Sequence, residues 1–351
     1  MNAITQSIIQ FELPGHLACP KPTEKRNLLR DEVRLLVTTG NGQIDHTTFN
    51  HLDRYLQHGD ILVVNTSATV AAALPITLPN GRKGRVHLSN QLNAREWLIE
   101  IREISGNKTI RWKEGKAGMI FQLPAAADIA LRQRFYNNRQ WLDLWVAEFS
   151  TNQPPAAYLA AHARPIQYEK LDEAYPLSYY QTFFSFHPGS AEMPSAGRGF
   201  TAGLTERLLK KGIVLAPILL HTGVSSLEEN ETPYPEYMEI SPVTAAIINT
   251  AKSQGRRIIA VGTTAIRAIE SAINSEGRVA PYQGNTELFI DESYTMKVAD
   301  GLLTGFHEPR ASHLNMLQAI AGYEHIDRAY QAAIEAGYYW HQFGDLHLIL
   351  P

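Results

Sequence analysis

The chain has 351 residues, 44% apolar and 19% charged, with a formal charge of −3; this is long enough for two domains and argues against wholesale disorder or a global attraction to nucleic acid, so a nucleic-acid partner would need a local basic patch. One cysteine, Cys19, set between Ala18 and Pro20 with no base near it in sequence, excludes an internal disulfide and a cysteine-based zinc site. The opening MNAITQSIIQFELP lacks the basic start and long apolar stretch of a secretory signal, and no apolar run approaches the ~20 residues of a spanning helix, so a soluble, cytoplasmic protein without membrane contact, a monomer or weak oligomer, is expected.

Residues 33–64 begin with RLLVTT as a strand and turn at Asn41-Gly42. A helix-like FNHLDRYLQHG follows, ended by Gly59, and then a buried strand ILVV introduced by Asp60. Residues 71–150 read as β throughout. WLIEIREI, TIRWKEG, MIFQLP and WLDLWVAEF are short strands separated by Gly, Asn and Pro turns, which predicts a small barrel or sandwich. The Pro-, Tyr- and His-rich segment 151–190 reads as a long connection.

From Thr201 onward helices and strands alternate. Thr201 is suited to cap a helix ended by Gly212, and LAPILLH at 215–221 is a buried strand. Ser241-Pro242 opens a helix ended by Gly255; RRIIAVG is a strand and TTAIRAIESAI a helix. Ser312 and Asp327 are expected to cap two more helices, ended near Gly322 and Gly337. This alternation predicts a mostly parallel sheet covered by helices. That body needs residues from both sides of the β region. The expected fold is therefore a main α/β domain over 1–70 and 151–351, with a small β-barrel domain inserted at 71–150. No solenoid or propeller period is present.

Five segments carry possible chemistry. In AVGTTAIRAIES (260–271) a buried strand ends at Gly262 and a helix starts at Thr263-Thr264, with Arg267 one turn in; its N–H groups suit an anionic group, or a threonine simply caps the helix. His221 ends a buried strand before the small polar loop TGVSS. It is a candidate general base or acid, or else a hydrogen-bonded residue holding the loop. DGLLTGFHEPRASH (300–313) crowds His307, Glu308, Arg310 and His313 around a turn, offering a base, a carboxylate and a cation, without a HExxH metal pattern. GSAEMPSAGRGFT (189–201) places Gly197 and Arg198, with Glu192, in a small-residue loop that could cradle a polar ligand but is no Walker loop. HQFGDLHL near the C-terminus sets His341, Asp345 and His347 together, for ligation or proton relay or as a plain strand end.

In order and spacing these segments resemble the family of S-adenosylmethionine:tRNA ribosyltransferase-isomerases of queuosine biosynthesis. The resemblance runs from FELP (11–14) and RLLV (34–37) through HGDILVVN (58–65), YQT (180–182), PSAGRGFT (194–201) and LLHTG (219–223). AVGTTAIRAIES, LLTGFHEP (302–309) and FGDLHLIL (343–350) complete it. It implies an α/β domain with a β-barrel insert. It also implies a reaction in which the ribosyl part of S-adenosylmethionine passes to an aminomethyl-deazaguanine base in tRNA, with release of adenine and methionine and formation of an epoxy-cyclopentanediol. S-adenosylmethionine is then a cosubstrate, tRNA the acceptor, and no metal is required. The sulfonium acidifies the adjacent ribose carbon, so a base is needed; departing adenine needs a proton donor. His221, Glu236 and His307 are the residues to which the resemblance points for catalysis. Gly197, Arg198, Gly223, Gly262, Thr263, Thr264 and Arg267 are those for holding the cosubstrate.

This chain also departs from the family pattern. Gly199 stands where the family's AGLHFT has histidine, and Tyr234 where MHSE has it, although Glu236 remains. Thr66, Ala68 and Ala73 replace an acidic and two basic residues of NDTRVIPARL, and Glu308 is added in TGFHEPRAS. Fewer cations weaken the argument for phosphate contact. Two alternatives follow: a transferase using S-adenosylmethionine on a small-molecule acceptor, or a non-catalytic binding protein on the same fold.

Overall fold

Strict alternation of large aliphatic side chains sends ILVV at 61–64 to both faces of a sheet, and helices must then cover both. The computed structural model describes residues 9–106, 108–137, 139–167, 171–224 and 232–351, so the first eight residues and Ser225-Ser226 of the loop after His221 lie outside the described residues. Its strands are β1 (Arg34–Thr39), β2 (Ile44–Thr48), β3 (Ile61–Asn65), β4 (Ser67–Thr69), β5 (Ala73–Thr77), β6 (Lys83–Gln91), β7 (Glu96–Ser105), β8 (Lys108–Arg111) and β9 (Ile120–Leu123). They continue with β10 (Ala127–Tyr136), β11 (Trp141–Ser150), β12 (His187–Ser190), β13 (Val214–Leu220), β14 (Glu236–Ile240), β15 (Ile258–Val261), β16 (Tyr282–Thr286), β17 (Gly301–Gly305) and β18 (Leu346–Leu350). The helices are α1 (Pro155–His162), α2 (Ala202–Lys210), α3 (Pro242–Ser253), α4 (Thr263–Ser271), α5 (His313–Ala321) and α6 (Tyr323–Glu335).

Nine strands form the main sheet in the order β16-β14-β13-β3-β15-β17-β18-β1-β2. The middle four, β13-β3-β15-β17, are mutually parallel. The flanks turn antiparallel at β14, β16 and β2 and between β17 and β18, so the sheet is mixed around a parallel centre. Ile61 and Val63 face one way, into a core with Ile248 of α3, Ile266 and Ile269 of α4, Leu317 of α5 and Tyr330 of α6. Leu62 and Val64 face the other way, against Phe49, Leu52 and Leu204 and Leu208 of α2. The result is a three-layer α/β/α body whose central strands are buried on both sides.

Strands β5–β11 make a separate seven-stranded antiparallel sheet in the order β5-β6-β7-β11-β10-β9, with β8 on β7. Its last strand returns beside β5, which curls it nearly into a barrel. The core inside it includes Leu74, Val86, Ile99, Ile101, Phe121 and Ile129, and Tyr158 and Leu159 of α1 pack into the same core.

Local signals held where a turn or cap was strong. Thr201 Oγ1 accepts from Leu204 N at 3.2 Å, and Ser241 Oγ from Thr244 N at 3.0 Å with Pro242 at the first helical position. Others did not. The helix-like 49–59 segment is only a 3₁₀ stretch, Phe49–Arg54, from which Phe49 and Leu52 reach the core, with Leu56 following beyond it. Ser312 has helical backbone angles and caps nothing with its side chain. Gly322, at φ +84°, breaks the chain between α5 and α6, so Asp327 falls inside α6 and caps nothing. Neither Thr263 nor Thr264 caps α4; Gly262 holds that position at φ +93°.

Candidate active site

Three loops leave the carboxyl edge of the parallel strands after β13, β15 and β17, and they meet at a cavity of about 300 Å³. Asn65 at the end of β3 organises this edge. Its amide donates to Leu220 O at 2.8 Å and its carbonyl accepts from Leu220 N at 3.0 Å, tying β3 to the last residue of β13. Thr222, Gly223 and Val224 line one side, Gly262, Thr263 and Thr264 the floor, and Thr304 to Glu308 with His313 the other side. The antiparallel neighbours β14 and β18 add Glu236 and, just before β18, His341.

Glu236 and Arg267 are both buried on the cavity wall and pair through Oε2 and Nη1. The other Glu236 oxygen accepts from Gly223 N at 2.8 Å, while Arg267 reaches Leu288 O (3.2 Å) and Tyr234 O (3.3 Å). Both charges are consumed in holding the loop after β13 against α4. Gly223 has to be glycine, since a Cβ there would overlap the Tyr234 hydroxyl and Ser89 Oγ.

His307 and His313 stack face to face across the cavity wall, with ring centroids 4.7 Å apart and planes 3° from parallel. His307 Nε2 lies 3.0 Å from Thr304 Oγ1; its backbone N donates to Tyr330 Oη and its carbonyl accepts from Trp340 Nε1. Burial, followed by repulsion from His313 and His347, holds the His307 imidazole well below its ordinary range. Burial and Arg267 push His313 down to about 4. Both rings are therefore neutral at pH 7, the state of a base. Glu308 Oε1 and His341 Nδ1 form a second pair on the cavity wall, 3.0 Å apart. The backbone is left-handed at His341 (φ 74°) and at the nearby Arg310 (φ 64°), a costly conformation that tends to collect at functional sites.

Of the sequence candidates, Glu236, His307, Gly223, Gly262, Thr263, Thr264 and Arg267 line this one cavity. Three do not. His221 turns away from it: Nδ1 lies 2.8 Å from Ser67 Oγ and the ring stacks on Tyr237, in space that a Cβ at Gly189 would fill. Arg198 is buried beside Glu24, donating to Thr23 Oγ1 (3.0 Å), Glu24 Oε2 (2.6 Å) and Tyr179 O (3.0 Å), and so ties the N-terminal segment to the body. Gly197 faces Thr182. From that loop it is Glu192 to Ala196 that reach the cavity. The C-terminal trio also comes apart: Asp345 accepts from Arg34 N and Tyr339 N, His347 lies 2.9 Å from Thr38 Oγ1, and only His341 faces the cavity. Cys19 is buried, its thiol donating to Phe343 O at 3.2 Å.

The departures are built into the packing. Tyr234 lines the cavity with its hydroxyl fixed between Ser89 Oγ (2.7 Å) and Val224 O (2.6 Å). A Cβ at Gly199 would come within 2.7 Å of Phe49, so this backbone leaves no room for a histidine there. Thr66, Ala68 and Ala73 are buried. His313 and His341, both named from their His-rich segments, line the cavity as well; Met316, Phe289 and Ile290, which also line it, carried no signal in the sequence.

Fold and site together define a three-layer α/β protein carrying a barrel-like sheet, with a largely apolar cavity, set with a few buried polar groups, at the carboxyl edge of its parallel strands. Residues 6–349 match the sequence model of the family described as queuosine biosynthesis protein, to which this chain belongs. It is 35% identical to the S-adenosylmethionine:tRNA ribosyltransferase-isomerase of Desulfitobacterium hafniense over 97% of this chain and 98% of that protein. It is 31% identical to the protein of the same name from a Bradyrhizobium species, over 97% and 96%. The crystal structure of S-adenosylmethionine tRNA ribosyltransferase from Thermotoga maritima, 27% identical, superposes with a TM-score of 0.55 over 98% of this chain and 100% of that one. Among the described residues no helix is long and apolar enough to cross a membrane.

Proposed function

We propose that this chain transfers and isomerises the ribosyl moiety of S-adenosylmethionine onto an aminomethyl-deazaguanine base of tRNA in the cytoplasm, releasing adenine and methionine. The observation that carries this reading is the convergence of the loops after β13, β15 and β17 on one cavity, in a chain related end to end to enzymes of that name. The cosubstrate's carboxylate suits the start of α4 at Thr263 and Thr264, where unpaired N–H groups and the helix dipole favour an anion. His307, kept neutral, is the base for the ribose carbon that the sulfonium acidifies, with His313 stacked behind it. Glu236 and Arg267, paired with each other, shape the wall by holding the loop after β13 against α4. The Glu308–His341 pair is suited to carry the proton that departing adenine requires. We infer likewise that 71–150 is an inserted domain on a body built from 1–70 and 151–351.

The test is adenine and methionine release from S-adenosylmethionine, with and without tRNA bearing the aminomethyl-deazaguanine base. Release only with that tRNA is expected. Release with bulk small-molecule amines and none with tRNA would overturn the acceptor assignment.

A further inference from the structure

The tip of the β10–β11 hairpin presents two large aromatic rings to solvent. Trp141 is 68% exposed and Tyr136 46%, although such side chains are ordinarily covered. They are opposite partners in the ladder, with ring centroids 5.2 Å apart. The tip between them is fastened to the cavity rim. Asn137 Oδ1 accepts from Gln140 N at 2.9 Å, closing the turn, while its amide donates to Thr232 Oγ1 at 2.8 Å and Thr232 O at 3.1 Å. Arg139 lies over the Phe289 ring at 5.0 Å, and Phe135 meets Tyr234 edge-on. Phe289 and Tyr234 both line the cavity, so the hairpin that carries the exposed pair reaches the cavity wall.

The surroundings are cationic. Two residues along each strand from the aromatic pair lie Arg134 and Asp143, paired at 2.7 Å, and Lys113, just beyond β8, reaches the same carboxylate at 3.2 Å. Residues 71–150 carry twelve Lys and Arg against seven Asp and Glu, a net of +5, while the remainder carries twenty against twenty-eight, a net of −8. The positive balance that an RNA partner requires of an acidic chain is carried by the barrel-like sheet.

We propose that Tyr136 and Trp141 form a stacking platform for a nucleotide of a single-stranded RNA loop whose neighbouring base enters the cavity. This rests on the tRNA acceptor proposed above. A base entering a cavity of this size must leave its stack, and an aromatic face beside the entrance replaces the stacking its neighbour loses. Aromatic faces accept any base, while the adjacent cations take the phosphates. A protein partner would use the apolar rings but has no need of positive charge or of a cavity at their side.

The experiment titrates the full-length protein with a fluorescein-labelled tRNA anticodon stem-loop and follows anisotropy, alongside turnover with tRNA. Trp141→Ala and Tyr136→Ala are expected to weaken stem-loop binding about fivefold to a hundredfold, the worth of one stacked base. Trp141→Phe retains most of the affinity. KM for tRNA rises with each Ala variant, while kcat and KM for S-adenosylmethionine stay put. Unchanged melting midpoints are expected, since Trp141 is mostly exposed, and Trp141→Gln serves if the Ala variant does not fold. Binding by Trp141→Ala equal to wild type overturns the platform, as does equal loss for a fully duplex RNA. A dimer in light scattering that Trp141→Ala dissociates overturns it in favour of a second copy. Wild type that binds the stem-loop through Trp141 yet releases no adenine overturns the reaction and leaves the platform standing.

Discussion

His221 and His307 both end buried strands of the same sheet edge, yet their rings have different work. His307 faces the cavity and stacks on His313; His221 lies behind the loop on Ser67 and Tyr237. Replacing His307 by Ala should cost turnover about 10²- to 10⁴-fold, the range for a lost acid–base group, with little change in melting. His221→Ala should keep most of the turnover and lower the melting midpoint instead, because Ser67 and the loop lose a partner. The pH profile separates them further. A base works when deprotonated, and His307 is held well below its ordinary 6.5, so the acid limb of kcat/KM should fall below that value. Equal loss of turnover in both variants would contradict the geometry.

At the scale of the element, the barrel-like sheet hides a charged cluster that composition gave no sign of. Glu100 on β7 is fully buried. One oxygen accepts from Arg102 Nη1 and Arg111 Nε, both at 2.8 Å, and the other lies 3.3 Å from His87 Nδ1. Burial opposes its charge, but His87 and the two arginines prevail and hold its pKa down to about 2. Glu100→Gln removes the buried carboxylate that both arginines share, and the expected cost is about 3–5 kcal/mol, measured by denaturant unfolding. A cost under about 1 kcal/mol would mean that water reaches the cluster. The same sheet shows what sequence could and could not convey. Period-2 strands and Gly/Asn turns marked 71–150 as β, and the caps at Thr201 and Ser241 were readable because each signal is local. The convergence of loops 222–224, 262–264 and 304–308 was legible through spacing shared with a family. Side-chain direction was not: His221 and Arg198 point where Gly189 and Glu24 dictate, and those contacts lie far away along the chain. Nor did the pattern reveal that Asp327 sits inside a helix, because Gly322 alone separates α5 from α6.

Across the whole molecule, burial keeps several histidines neutral at once, and this couples stability to pH. Besides His307 and His313, burial pushes His347 down to about 3 and lowers His221. In the unfolded chain each titrates near its ordinary value of about 6.5. The sign follows from which state binds more protons. Below about 6.5 the unfolded chain takes up protons that the folded chain refuses, so stability is fully present above that pH. It is lost progressively as pH falls through the folded values of His313 (about 4) and His347 (about 3). Glu100 adds a loss in the same direction, from its ordinary range down to about 2. Asp345, whose pKa is raised by burial, opposes part of it by holding its own proton more tightly when folded. Burial lowers His87 and His325 as well, and six histidines outweigh one carboxyl, so the melting midpoint should be level from pH 8 to 7 and decline steadily below about 6.5. His347→Asn should make that decline shallower, whatever it does to the midpoint at pH 8, since it removes one proton acceptor of the unfolded state while Thr38 keeps a polar neighbour. A midpoint that stays level from pH 7 to 5 in the wild-type protein would show that these imidazoles are protonated in the folded chain, and His307 would then not be available as a base.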